Sequence, residues 1–475
     1  MKKRIALVAL CLLLVVSVFA GCKTTGEGQT AENDKYDPNA EVEVSLGIWP
    51  EDTMTDDIAM HEGFVAKLKE TNPNITYKPA NYKYATDSFV ALAEGGNLPT
   101  VFETWFTEPQ KLIKGEYVKD ITADMQEMGW ADKMSDGIKS LLSKDGKIYG
   151  TPRDGYALGL YINMNLFEQA GLVNEDGTAK YPKTFDELYD AAKTIKEKTG
   201  QSGFVLLGKD NAGGWHFSNI AWNYGATLQT QNADGKWEAN LNSAEVLEAM
   251  KWVQKMIKDG LTTANPADED WASGFVQLGT GKAAMYIAAQ DAVNQPTQVN
   301  GLEVNKLSLV PVPAGSKAQY SLMGGTPYMF AGNATRNQVM GALKYLEVMG
   351  KAPELTADAK EGLAATYKLN KEEGVPNIPT FQVWKDADLL TQQAEVRKDY
   401  ENVDMKLFDD YFNKVAEEGN IKAEEPNLAQ EMYAEFTKVI QALVQNNDMS
   451  EADLQAALDT ADKNFQALLD DEVND

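Results

Sequence analysis

The hydrophobic pattern changes its period near the start of the folded region. Residues 41–48, EVEVSLGI, alternate apolar and polar side chains, and a period of two predicts a β-strand. Residues 54–71 place their apolar side chains on one helical stripe, and Pro73 predicts the end of that helix because a residue before proline disfavours helix. Residues 75–77 predict a second short strand. The order strand, helix, strand favours a parallel sheet covered by helices.

Later segments carry clear helical stripes and two turn signals. Thr184 and Glu187 have the spacing of a capping box at a helix start. Apolar residues at helical spacing predict three further helices, over residues 243–259, 428–443 and 450–469. The sequences KDGK at 144–147 and NADG at 232–235 predict tight turns between short strands. Such stripes are core by default, so these helices are assigned no function.

The N-terminal end predicts export. Three basic residues, Lys2, Lys3 and Arg4, precede an apolar run that is shorter than the ~20 residues of a membrane-spanning helix. Small residues then lead into Cys22, which predicts a signal peptide over residues 1–21. Residues 22–40 contain one aromatic and no branched aliphatic side chain, so they predict a flexible tether. The body that follows is expected outside the cytoplasm.

Charge and cysteine content narrow the class of protein. The 475 residues carry a net charge of −27, and removal of the signal peptide makes it −30. Nucleic acid is therefore not an expected partner, since phosphate binding needs clustered Lys and Arg. The two cysteines, Cys11 and Cys22, both lie at the N-terminus, so no disulfide is expected in the body. A hydrophobic content of 43% over this length predicts two sizeable domains.

The scarcity of histidine argues against two kinds of chemistry. The only histidines are His61 and His216, and neither accompanies a nucleophile motif or the spacing of a zinc site. We therefore predict no histidine-assisted nucleophile and no zinc site, and we expect no other metal and no cofactor. No EF-hand loop appears, although acidic residues are too abundant to exclude calcium by counting. A glycoside hydrolase needs only two carboxylates, so it stays open as an alternative.

Five segments, in order, resemble bacterial family 1 extracellular solute-binding proteins, the group that includes maltodextrin-binding proteins. They are FVAKLKETNPNITY at 64–77, VALAEGGNLPTV at 90–101, GKIYGTPRDGYALGLYINMNLFEQAGL at 146–172, YPKTFDELYDAAKTI at 181–195 and GTGKAAMYI at 279–287. Two departures concern the ligand more than the fold: Thr100 replaces the family's usual Asp, and the tryptophan often found beyond Met285 is missing. The segment ending in Cys22 also resembles the lipobox of bacterial lipoproteins, in which the cysteine carries the lipid.

The resemblance implies an α/β protein of two lobes, each with a mostly parallel sheet, and a ligand cleft between them. We expect residues 41–152 with 287–323 in one lobe, and 153–286 with 324–475 in the other. By position, the chain is expected to cross between the lobes near 152–156, 281–287 and 323–327. The implied function is to bind a sugar or short oligosaccharide, as a monomer and without enzyme activity, and deliver it to the permease subunits of an ABC importer at the membrane.

Aromatic side chains in loops are the expected ligand contacts. Trp49 and Trp105 follow predicted strands, where open α/β sheets bind ligands. A sugar ring stacks on an indole face, while its hydroxyls need fixed polar partners. The expected contacts are Trp49, Glu103, Trp105, Arg153, Asp154, Tyr156, Asp210, Trp215, Trp222, Trp271, Gln290, Gly325 and Tyr328. The same indoles suit a quaternary amine, and a surface scaffold without a ligand is a third possibility.

Overall fold

The computed structural model describes residues 35–86, 88–415, 417 and 419–474. The predicted signal peptide, Cys22 and most of the predicted tether lie outside the described residues. Among the described residues, no helix is both long and apolar enough to cross a membrane.

Thirteen strands are described. They are β1 (Val42–Gly47), β2 (Ile75–Pro79), β3 (Val101–Glu103), β4 (Ser143–Lys144), β5 (Lys147–Ile148), β6 (Gly150–Asn163), β7 (Ser202–Phe204), β8 (Gln229–Gln231), β9 (Trp237–Ala239), β10 (Ala283–Ala289), β11 (Leu307–Val310), β12 (Ser321–Phe330) and β13 (Ile421–Ala423). Sixteen α-helices are described with them. They are α1 (Thr55–Thr71), α2 (Phe89–Glu94), α3 (Pro109–Lys114), α4 (Thr122–Glu127), α5 (Asp136–Leu141), α6 (Met164–Ala170), α7 (Phe185–Thr199), α8 (Ala212–Asn223), α9 (Ala244–Lys258), α10 (Trp271–Gly279), α11 (Arg336–Val348), α12 (Ala357–Glu373), α13 (Ala387–Lys398), α14 (Asp409–Val415), α15 (Ala429–Gln445) and α16 (Glu451–Glu472).

The strand and helix predictions are confirmed at the places where the pattern was regular. β1 and β2 pair in parallel, as the strand–helix–strand order indicated. Both turn signals form hairpins, β4 with β5 and β8 with β9. The start of α7 differs in one detail. Thr184 Oγ1 accepts from the backbone N–H of Glu187, but the Glu187 carboxylate accepts from the N–H of Lys183, one residue further back than a capping box requires.

One sheet runs through the whole molecule. Its order is β2-β1-β3-β12-β6-β10-β7, with β11 also on β6 and β13 also on β12. The pairs towards its two ends, β1–β2, β1–β3 and β10–β7, are parallel. The long strand β6 pairs antiparallel with β12 through its first half and with β10 and β11 through its second half. β6 therefore carries the chain from one half of the molecule to the other.

The buried side chains form two separate cores, which define two lobes. The first lobe is built on residues from Val44 to Ile148 and from Met323 to Ala352. The second lobe is built on residues from Leu158 to Leu322 and, near the C-terminus, from Leu407 to Leu469. The chain also passes between the cores after Ala352, with Val375 and Ile378 in the second core and Trp384 and Leu389 in the first.

This division differs from the expected one in the middle of the chain. Residues 287–322 were expected in the first lobe, but β10 and β11 pair with the second half of β6 and belong to the second lobe. Residues 324–352 were expected in the second lobe, but α11 packs on the first, where Gly341 O accepts a hydrogen bond of 2.9 Å from Tyr77. Strand pairing decides which residues belong to which lobe, and the local sequence pattern does not show which strands pair.

Two of the three expected crossings between the lobes occur in the structure, and one does not. The chain does pass between the cores within β6, near residues 152–156, and within β12 at Leu322 and Met323. Residues 281–287 are not a crossing, because all seven residues of β10 are buried in the second core.

Candidate functional site

Two cavities open where the crossing strands meet the second lobe. The aromatic cavity, of about 300 Å³, is lined by Tyr156, Asn211, Ala212, Trp215, Trp271, Ala289, Asp291, Gln430 and Tyr433. The larger cavity, of about 550 Å³, lies against β6 at Arg153, Asp154 and Gly155 and against the segment that passes between the lobes after Ala352. Asp291 lines both cavities, so the two spaces meet at this side chain.

Three of the expected aromatic contacts form one wall. Tyr156 lies in β6 where this strand crosses between the lobes. Its ring lies edge-on to the ring of Trp215 at the start of α8, with centroids 6.4 Å apart and planes at 77°. Trp271 begins α10 and keeps 38% of its surface exposed, while its ring packs edge-on against Phe275 at 5.1 Å. Indole and phenol faces that are held in place yet accessible suit the C–H face of a sugar ring.

The first lobe faces this wall through the loop after β3. Thr107 Oγ1 accepts a 3.4 Å hydrogen bond from Gln430 Nε2 of the second lobe. Two residues earlier, Trp105 is 44% exposed and lies edge-on to Tyr84 at 5.3 Å. Trp105 is thus an accessible aromatic at the border between the lobes, although it does not line either cavity.

Trp222 and Tyr328 are in the core, so their expected role as ligand contacts is wrong. Each side chain is 1% exposed. The indole of Trp222 donates to a buried carboxylate, Glu425 Oε1, at 2.9 Å. Trp49 is half-buried in the first lobe, edge-on to His61 at 5.3 Å, and lines neither cavity. Asp210 is exposed one residue before Asn211, and it too lies outside both cavities.

Three expected polar contacts form an ion-paired group at the crossing. Arg153 Nη1 lies 2.7 Å from Glu103 Oε2, and Arg153 Nε lies 2.9 Å from Asp154 Oδ2. Asp154 Oδ1 also accepts from the backbone N–H of Thr326 at 3.1 Å, beside the irregularity in the β6–β12 pairing. Asp154 therefore joins β6 to β12, Arg153 joins β6 to β3, and both side chains also line the larger cavity.

Gln290 and Gly325 also support the crossing. Gln290 is 3% exposed, and its Oε1 accepts a 3.0 Å hydrogen bond from the backbone N–H of Ala157 in β6. Gly325 has φ of 151°, and an added Cβ would lie 2.6 Å from Phe106 Cε2 and 2.7 Å from Asp154 O. Only glycine fits this close approach of β12 to β6 without strain.

Sequence reasoning missed four polar side chains that line the aromatic cavity: Asn211, Asp291, Gln430 and Tyr433. Gln430 and Tyr433 belong to α15, which the apolar stripe assigned to core. Asn211 Nδ2 donates to Gln430 Oε1 at 3.1 Å, so these two amides are fixed relative to each other. Asp291 follows Gln290, which is one of the expected ligand contacts. Asp291 reaches the cavities because the chain turns directly after β10, and the sequence pattern does not indicate this.

Two carboxyl groups near the cavities have pKa values well above their ordinary range. Burial raises the pKa of Asp291 to about 7, and the nearby Asp154 carboxylate adds to the rise. Burial raises the pKa of Glu424 to about 8, against the hydrogen bond of 2.9 Å that its Oε1 accepts from Tyr433. Among the described residues, His, Cys, Asp and Glu form no group of three or more that could hold a metal ion.

Comparisons with known proteins agree with this architecture. Residues 52–354 match the family model described as bacterial extracellular solute-binding protein. A binding protein of Brucella abortus is 31% identical over 207 residues, which cover 42% of this chain and 47% of the relative, so the match spans about half the length of that protein. A polygalacturonan/rhamnogalacturonan-binding protein of Bacillus subtilis is 27% identical over 62% of this chain and 58% of its own.

Solved structures share the fold. The crystal structure of a cyclic α-maltosyl-1,6-maltose binding protein from Arthrobacter globiformis superposes with a TM-score of 0.65 at 20% sequence identity, over 90% of this chain and 99% of the other. At this identity the likeness concerns the fold, which is two-lobed in both.

Proposed function

Because the chain belongs to the bacterial extracellular solute-binding protein family, we propose that it captures a sugar or short oligosaccharide between its lobes and delivers it to an ABC importer. The observation that carries the proposal is the aromatic cavity. It sets Tyr156, Trp215 and Trp271 beside the amides of Asn211 and Gln430, and this combination of stacking faces and polar groups is what carbohydrate recognition needs. Two of the relatives named above bind carbohydrates, which supports the same class of ligand.

Lobe closure is the proposed way in which binding is reported to the importer. The lobes are joined by β6, β12 and the segment after Ala352, and they also touch away from these strands, through Gln430 and Thr107. A ligand that contacts both lobes makes more contacts when the lobes are closed. Its binding would therefore favour the closed arrangement. The importer's permease would then recognise closed protein, with the ligand chemically unchanged.

We further propose that the mature protein is an extracytoplasmic monomer anchored to a membrane by a lipid on Cys22. The supporting pattern is the basic, apolar and small-residue order that ends at this cysteine. Mass spectrometry of the exported protein tests the anchor. A mature N-terminus at diacylated Cys22 is expected, and an unmodified or internal start would exclude it.

A thermal-shift screen of mono- and oligosaccharides tests the function itself, with polyols, amino acids and quaternary amines as controls. A ligand that binds only folded protein raises the melting temperature. Stabilisation by at least one carbohydrate, recovered intact after long incubation, is expected. Stabilisation by none of the carbohydrates would contradict the proposal, and cleaved product would indicate a hydrolase.

A further inference from the structure

The charge of the cleft points to a narrower class of ligand. We propose that Asp291 selects saccharides by charge, so that one bearing a protonated amine binds more tightly than its neutral analogue and a uronate binds least. This inference rests on the proposed function and names the ligand class of the same site.

The first observation is that Asp291 is the only acidic or basic side chain among the described residues that line the aromatic cavity. The other eight lining residues are aromatic, amide or alanine side chains. No Lys or Arg is among them, so no described side chain that lines this cavity can pair with an acidic ligand group. With its pKa at about 7, Asp291 is partly ionised at neutral pH, and a uronate or phosphate placed there would meet this carboxylate as a like charge at short range.

The second observation is that the nearby cations are already engaged. Arg153 lines the larger cavity, but two carboxylates flank it, Glu103 at 2.7 Å and Asp154 at 2.9 Å. Lys351, also in the larger cavity, has its Nζ 3.5 Å from the backbone oxygen of Arg153, and burial lowers its pKa. Three carboxyl groups thus share two cations around the meeting point of the cavities, and the balance is acidic.

The third observation is that Asp291 has room for a partner. Its side chain is exposed to the cavities, and no described side chain makes a hydrogen bond or ion pair with it. An ammonium group on a sugar would supply the missing countercharge through a charge-assisted hydrogen bond. The faces of Trp215 and Trp271 in the same cavity favour a cation further.

Calorimetry near neutral pH with three disaccharides of similar size tests the proposal. The probes are the glucosamine disaccharide, its di-N-acetylated neutral analogue and digalacturonate. The amine is expected to bind at least about ten-fold more tightly than the neutral analogue, and digalacturonate more weakly than either. In Asp291→Asn, which keeps the shape of the side chain, the three affinities should converge to within about three-fold.

Asp210→Asn is the matched control, because this carboxylate lies outside both cavities and its loss should leave the ranking unchanged. Melting curves of both variants establish that they fold. Equal binding of the amine and its neutral analogue, tightest binding of digalacturonate, or an unchanged ranking in folded Asp291→Asn would each overturn the inference while leaving sugar binding intact. Binding of none of the three sugars, with binding of a simple quaternary amine such as choline, would instead overturn the proposed function.

Discussion

The indole Nε1 of Trp222 donates a 2.9 Å hydrogen bond to Oε1 of Glu425, and both side chains are buried in the second lobe. Lys422 completes the group, with its Nζ 4.3 Å above the indole ring and 3.8 Å from the same carboxylate oxygen. A tryptophan that the sequence offered as a ligand contact is therefore the partner of a buried acid.

Trp222→Phe should destabilise the second lobe by about 1.5–3 kcal/mol, because it removes the donor to a buried carboxylate but keeps an aromatic ring. Denaturant unfolding measures the change. Trp252→Phe is the matched control, since its Nε1 donates at 3.0 Å to a neutral acceptor, the backbone oxygen of Phe185. A cost at Trp222 no greater than at Trp252 would show that the carboxylate does not depend on the indole.

Trp215→Ala and Trp271→Ala should each weaken binding of the best carbohydrate from the screen by about 1–3 kcal/mol, the range of buried aromatic contacts. Calorimetry measures the loss. Both indoles line the aromatic cavity, whereas Trp237 lies in the β8–β9 hairpin outside it. Trp237→Ala should leave affinity unchanged, and full affinity in both cavity variants would place the ligand elsewhere.

Lys111 and Lys114 of α3 join the first lobe to the end of the chain. Lys114 Nζ donates to the backbone oxygens of Glu472 at 3.1 Å and Val473 at 2.7 Å, and Lys111 Nζ lies 3.2 Å from Glu472 Oε2. A cation at the C-terminus of a helix is stabilising by about 0.3–1 kcal/mol. These contacts hold the lobes in the arrangement of this structure, so their loss should favour a more open one.

The double variant Lys111→Ala with Lys114→Ala should therefore shift the protein towards the open form and weaken ligand binding by roughly two- to ten-fold. Small-angle scattering and calorimetry report the two effects. Lys258→Ala is the control, since it removes an exposed ion pair with Asp448 inside the second lobe. Unchanged dimensions and affinity in the double variant would mean that α3 and α16 do not hold the lobes together.

Gly325→Ala should destabilise the crossing by about 2 kcal/mol or more, because its backbone conformation is strained for any other residue and the new methyl group would contact Phe106 and Asp154. Thermal unfolding measures the effect. Gly63→Ala in α1 should have the opposite effect. An added Cβ meets no atom within 4 Å, and alanine has the higher helix propensity, so this variant should be more stable by about 0.5–1 kcal/mol. A neutral Gly325→Ala would show that β12 can move away from β6.

Glu424 should make stability depend on pH. Its folded pKa of about 8 is above the ordinary glutamate value of 4.5, so between these values the native state binds more protons than the unfolded state. Its contribution to stability is therefore present below the lower value and is lost as pH rises towards 8. The slope is at most about 1.4 kcal/mol per pH unit.

Glu424→Gln should remove that part of the slope, and urea unfolding between pH 5 and 8 compares the two proteins. Glu435→Gln is the control, because this buried carboxylate is paired with Lys438 and accepts a 3.0 Å hydrogen bond from Asn464. The same pH profile in wild type and Glu424→Gln would contradict the assignment.

Local pattern determined the elements of this protein. The alternation at β1, the stripes of α9, α15 and α16 and both hairpin turns follow from the sequence, because each depends on residues a few positions apart. The ordered motifs from 64 to 287 also indicated the family and its two lobes. Of the expected aromatic contacts, Tyr156, Trp215 and Trp271 do meet in one cavity.

Tertiary structure alone decided which residues share a lobe and which share the cleft. Residues 287–322 and 324–352 lie in the lobes opposite to those expected, since membership depends on pairing with β6 and packing on β1, more than 100 residues away in the chain. Trp222 and Trp271 look alike in sequence, yet one is 1% exposed and the other 38%. Asp291 carries no local signal at all; it lies among aromatic and amide side chains, with no described Lys or Arg side chain in the lining, only because the fold brings these residues to that cavity.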